Sequence, residues 1–258
     1  MENHFTWFTS AKYKNIDLFD TYRKFIDKFF ECGYDSKTGD PTHWMNNSFT
    51  SNDRIKMDLF NRFGYIAAAG DRHLAEFMDG EEYLASPECV REWMFGLTTV
   101  EWRKNNLKER LARSERLFSG EEVYEIRDTG EEGTLQMRAL LGLDTMVTNI
   151  NLPNVGQISN LPMGTIVETN ATMRLDAINP VCAGAVPDSI YPLVARAARE
   201  NDYMLEAGFS LDLDYAMSLF CKLNMVKNLT EQQKKDLFTE MCRGTAKYLG
   251  DYKFGNVL

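Results

Sequence analysis

Residues 144–180, DTMVTNINLPNVGQISNLPMGTIVETNATMRLDAINP, constrain the fold more than any other part of the chain. Val, Ile, Thr and Asn dominate, and Pro and Gly recur, which is the texture of strands joined by tight turns. Antiparallel strands are therefore expected between Met146 and Arg174. On both sides the apolar residues follow a helical period instead. Residues 16–31, IDLFDTYRKFIDKFFE, set Leu18, Phe19, Tyr22, Phe25, Ile26, Phe29 and Phe30 on one stripe. After a polar loop, Asp53 is placed to cap a helix through RIKMDLFNRFGY. A Gly-punctuated stretch, IAAAGDRHLAEFMDG, follows, then a helical pattern from Pro87 to Phe118 with a break near Gly96. Pro87 suits a helix start. SGEEVYEIRDTGEEG reads as a surface loop and GTLQMRALLGL as a short helix. Helices return after Val186, and Thr230 with Gln233 forms a candidate capping box for the last of them. Helices, a strand-rich middle and helices again predict an α+β chain rather than a βαβ alternation. No repeat, low-complexity tract or linker divides it, so residues 1–258 read as a single domain.

Bulk properties narrow the partners. The net charge of -9 argues against nucleic acid or an anionic membrane as the main partner. No apolar run approaches the ~20 residues of a membrane span, and the first residues lack a signal-peptide layout. Cys32, Cys89, Cys182, Cys221 and Cys242 are odd in number, scattered, and form no C-x-x-C. They fit a reducing compartment, and a cytoplasmic protein is expected.

Three stretches carry chemistry-bearing residues, each with a structural alternative. NHFTWF surrounds His4 with aromatics; a histidine there is a metal ligand or proton carrier, or a packed ring. GYIAAAGDRHLAEF sets Asp71, Arg72, His73 and Glu76 directly after small residues. That pattern serves an acid/base or metal site, or a helix start capped by Asp71 with a solvated face. In NLPNVGQISNLPMGTIVETN the amides both donate and accept, which suits sugar hydroxyls; they equally suit turns. EWRKNNLKERLARSER reads as a solvated helix face. The Met and Phe residues of the C-terminal helices read as core or subunit interface. G-x-G-x-x-G after a strand is absent.

Taken together, these stretches resemble the C-terminal region of glycoside hydrolase family 4, the NAD- and manganese-dependent glycosidases, and above all its α-galacturonidase branch. The resemblance rests on NHFTWFTSAKY, FGYIAAAGDRHLAEF, GEEGTLQMRALLGL and NLPNVGQISNLPMGTIVETNA, in the family's order, and covers nearly the whole chain. It implies a fold like the C-terminal domain of lactate and malate dehydrogenases, with helices packed around a twisted antiparallel sheet. It also implies that the N-terminal Rossmann domain that binds NAD is absent. His4 matches the family's metal-binding histidine, for Mn2+. The cysteine that shares the metal precedes that histidine in the family, and none of the five precedes His4 here. The expectation is the second part of a divided or truncated gene, working with a separate NAD-binding chain and inactive alone, since side chains do not replace hydride chemistry.

The mechanism implied by the resemblance is oxidation at C3 by NAD, removal of the C2 proton, elimination of the glycosidic oxygen, addition of water and return of the hydride. The metal stabilises the enolate. The base is Asp71 or Tyr65, with Asp71 in the more specific motif. Asn3, Arg72, His73, Asn151, Asn154 and Asn160 face substrate, a galacturonide or galactoside. Arg72 matches a uronate carboxylate, which its fork binds bidentately. ENDYMLEAGFSLD and LNMVK depart from the family's pattern near the C-terminal helices. The alternative is a non-catalytic sugar-binding or assembly protein that kept the fold. Either way a homo-oligomer, most simply a dimer through the apolar C-terminal helices, is expected.

Overall fold

The computed structural model describes residues 5–36, 38–46, 49–128 and 130–255. Three short strands, β1 (Trp7–Phe8), β2 (Lys12–Tyr13) and β3 (Ile16–Asp17), lead into α1 (Leu18–Phe29). A 3-10 turn at His43–Asn46 precedes α2 (Arg54–Phe63), β4 (Ile66–Ala67), α3 (Asp71–Phe77), α4 (Gly80–Tyr83) and α5 (Pro87–Glu92). The long α6 (Val100–Ser119) and α7 (Gly133–Leu140) come next, then β5 (Met146–Pro153), β6 (Ile166–Arg174) and β7 (Ala177–Pro180). The described chain closes with α8 (Tyr191–Ser210), α9 (Leu213–Phe220) and α10 (Glu231–Thr245).

The strand-rich middle is antiparallel, as its texture predicts. β5 pairs with β6, Met146 opposite Met173 and Pro153 opposite Ile166, and β6 pairs with β7. On β6, Val167, Thr169, Ala171 and Met173 are buried while their neighbours are not, the period of two that one covered face requires. Pairing is spread over three small sheets, however: β5-β6-β7, β1-β4 and β2-β3. The two-residue strands carry no period that a sequence could betray.

The main core joins Phe5, Ile55, Leu59, Leu74, Val167 and Val194, so the chain's described start, α2, α3, β6 and α8 share one interior. Each such side chain contributes ~1.5–3 kcal/mol by leaving water. Polar ties span the same joint. Ser189 Oγ donates to the Phe63 carbonyl at 2.9 Å, and Arg196 donates to the Phe77 carbonyl. The aromatic stripe of α1 packs with Met57 and Phe60 of α2 in a second cluster, and Leu213 and Cys242 centre a third.

Some helix starts follow local chemistry, and one expected cap does not form. Asp17 accepts from Phe19 N–H at 2.9 Å to cap α1. Thr230 and Gln233 form the reciprocal capping box of α10. Asp53, expected to cap α2, instead takes left-handed φ 53° and makes no side-chain cap bond. The cap is supplied from elsewhere, as described below. α6 contains no buried residue, and all five cysteines are free. Among the described residues no helix is long and apolar enough to cross a membrane.

Candidate functional site: the cleft at Gly70–His73

β1 and β4 pair antiparallel, with Trp7 opposite Ala67, and Ala68 N–H donates to the Thr6 carbonyl at 2.9 Å. The small-residue run thus lies against the described start of the chain and delivers Gly70 as the N-cap of α3. A polar cleft of about 470 Å³ opens there, lined by Asp53, Lys56, Asp71, Arg72 and His73, with Asp35, Ser36 and residues 49–51 on its other side.

Asp71 is fully buried. Its two oxygens accept from Ile55 N–H at 3.2 Å and Lys56 N–H at 3.0 Å. It therefore caps α2, not its own helix, and satisfies two donors that every helix start leaves open. Burial, followed by the Asp53 charge, raises its pKa. The two N–H bonds and Lys56 pull the other way, and the balance is pushed up to about 7. Arg72 points outward along the cleft wall. Its Nη1 donates to Thr98 Oγ1 at 3.0 Å, and its guanidinium stands 4.9 Å over the Phe49 ring. Phe49 in turn meets Trp102 at the base of α6, 5.0 Å between centroids. His73 is partly exposed, with Nδ1 3.7 Å from Glu76 Oε2, and lines both this cleft and the one toward α8.

Asp71, Arg72 and His73 are thus brought to one cleft. None of the other described candidates lines it. Asn3 and His4 lie outside the described residues. Tyr65 rests half-buried against Phe19 and does not line the cleft. Asn151 is an exposed residue of β5. Asn154 is buried and serves its own loop: Nδ2 donates to the carbonyls of Ile158, Leu161 and Pro162, and Oδ1 accepts from Gly156 and Ile158 N–H. Asn160 clamps Val186 through both N–H and C=O at 2.8 Å. At these two positions turn and loop chemistry accounts for the amide. Asn154→Ala should lower stability by about 2 kcal/mol, since several part-buried carbonyls and amides lose their partner together. A urea titration of the variant measures it, and an unchanged midpoint would refute the scaffolding role.

Sequence reasoning missed part of the cleft. Asp35 is buried and lies 2.9 Å from His43 Nδ1, and Thr38 N–H donates to its other oxygen at 3.1 Å. Asp53 and Lys56 pair across the cleft floor at 3.7 Å. These residues sit in an aperiodic polar loop and on one helix turn, and only the density of Asp and Thr between Asp35 and Asp53 hints at them.

The family description "Family 4 glycosyl hydrolase C-terminal domain" matches residues 3–222. The chain belongs to glycosyl hydrolase family 4. Within that family it is 51% identical over 251 residues to an alpha-galacturonidase of Thermoanaerobacterium saccharolyticum, covering 97% of this chain and 53% of that protein. The crystal structure of the Bacillus subtilis protein lplD aligns over 93% of this chain and 53% of its own, with TM-score 0.83 at 38% identity. A 6-phospho-alpha-glucosidase from gut microorganisms, solved with NAD and Mn2+, shares the fold at TM-score 0.64 and 15% identity, covering 94% and 54%. The chain thus spans about half the length of these family 4 relatives. Among its described residues no group of three or more His, Cys, Asp or Glu is placed to hold a metal, so those residues do not by themselves fit Mn2+.

Proposed function

We propose that this chain supplies the substrate-facing half of an α-galacturonidase-type glycosidase. One observation carries the reading: the Arg72 guanidinium stands over the Phe49 ring in a polar cleft, in a chain 51% identical to an alpha-galacturonidase. A guanidinium held by its contact with the ring and its bond to Thr98 has its fork positioned in the cleft, and such a fork matches a carboxylate. Lys56 adds a second cation to the cleft. On this reading Arg72 binds the uronate group and His73 contacts the sugar. Asp71 acts as a positioning residue that ties α3, and with it Arg72 and His73, to α2. His4 is the metal ligand we propose from this half. Its support is the position of the described chain start, where Thr6 is bonded to Ala68, two residues before Gly70. NAD and the rest of the metal site belong, in this proposal, to the half of the enzyme that this chain does not span.

The test is reconstitution. The chain is mixed with the preceding half of the T. saccharolyticum relative, NAD and Mn2+, and cleavage of an aryl α-galacturonide is followed. Cleavage with both halves and none with either alone is the expected result. Turnover by this chain alone would overturn the half-enzyme reading. A folded, associated pair that cleaves galactosides and not galacturonides would overturn the assignment of Arg72.

A further inference from the structure

Helix α6 stands apart from the core. Twenty residues long, it spans roughly 30 Å. Four of its apolar side chains are displayed rather than covered: Val100 is 70% exposed, Leu107 55%, Leu111 57% and Phe118 96%. Their spacing alternates between seven and four residues, which is the a/d seam of a coiled coil and places all four along one face. The seam also reads the same from either end. Val100 and Phe118 stand equally far from Glu109, as do Leu107 and Leu111, and Lys104 and Ser114.

From this palindrome we infer that α6 is a dimerisation arm, and that what covers it is the α6 of a second copy, antiparallel across a two-fold axis near Glu109. An isologous interface needs a patch complementary to itself. Antiparallel pairing sets each Leu107 against the partner's Leu111 and each Val100 against the partner's Phe118, apolar on apolar at every layer but the Lys104–Ser114 one. A different partner would require no such symmetry. The area suffices: four apolar side chains per copy remove on the order of 1,000 Å² in total, the lower bound for a specific interface.

α6 carries six basic residues, Arg103, Lys104, Lys108, Arg110, Arg113 and Arg116, against three glutamates, so pairing with its own copy needs this excess offset. The segment after it is acidic and folds back, with Glu122 bound to Arg113 at 2.7 Å and Arg116 at 3.1 Å. Antiparallel pairing brings that segment of the partner alongside Arg103 and Lys104. The interface so defined is formed by α6 and not by the C-terminal helices.

Light scattering of the full chain at micromolar concentration decides. We expect twice the 29.7 kDa chain mass. Leu107→Glu with Leu111→Glu should weaken the dimer by roughly 100-fold or more, because each copy loses two buried leucines and gains two facing charges. Both positions are exposed in the single chain, and an unchanged far-UV spectrum confirms the fold. Mixing this variant with one carrying Leu107→Lys and Leu111→Lys should restore the doubled mass, since the carboxylates introduced on one copy then face the ammonium groups introduced on the other. A monomeric wild type, a dimer that ignores the double substitution, or monomeric variants that fail to associate when mixed would each overturn the inference.

Discussion

Asp71→Ala should destabilise the chain by about 4 kcal/mol, read as a shift of roughly 10 °C in thermal unfolding. Two backbone donors at the start of α2 lose their acceptor in a place water does not reach, at ~1–3 kcal/mol each. Asp71→Asn keeps one acceptor and should lose less. The pH dependence follows from the raised pKa. The unfolded carboxyl releases its proton near pH 4, whereas the folded one holds it to about 7. Between those values the folded state binds more protons, so the contribution of Asp71 to stability is full below about pH 4 and is lost as pH rises through 7. The stability of the wild type relative to Asp71→Asn should therefore decline from pH 5 to pH 8. Parallel curves for the two proteins would show that Asp71 does not titrate in this range.

Arg72→Ala in the reconstituted enzyme should cut kcat/KM for a galacturonide by about 100-fold, mostly through KM. A charge-assisted bidentate bond is worth ~2–3 kcal/mol more than none. Arg72→Lys should recover only part, because an ammonium offers a point charge without the planar fork. The control is a galactoside, which has no carboxylate. Equal losses on both substrates would mean that Arg72 merely braces the Thr98 and Phe49 wall.

Much of this architecture is legible in the sequence because it is periodic. The stripe from Leu18 to Phe30, the strand texture of 144–180 and the Thr230–Gln233 box each repeat a spacing that backbone geometry imposes, and the structure returns them with small shifts in boundary. The cleft is less legible for a physical reason. Asp71 belongs by position to one helix and by hydrogen bonding to another, fifteen and sixteen residues upstream, and no local pattern distinguishes a cap given to a neighbour from one given to itself. Asp53 stands where a cap of α2 belongs, yet its left-handed backbone turns the side chain toward Lys56. Asn154 and Asn160 are chemically able to bind hydroxyls, and only their tertiary partners show that carbonyls and amides of the chain reach them first. The Asp35–His43 pair has no periodicity at all.

The ties from Ser189 to Phe63 and from Arg196 to Phe77 close the chain on itself across more than a hundred residues, and α6 lies within that closed span without a buried residue. Within that span, the described residues from Thr99 to Arg138 include no buried side chain and form an excursion from the core. The entropy of closing it grows only with the logarithm of its length, about 0.6 kcal/mol for each doubling. Residues can therefore be inserted into or removed from the region between Thr99 and Glu132, before α7 returns to the sheet through buried Ala139, at little thermodynamic cost to the rest. Helix α6 is thus the part of the molecule that can be remodelled without refolding the core around it.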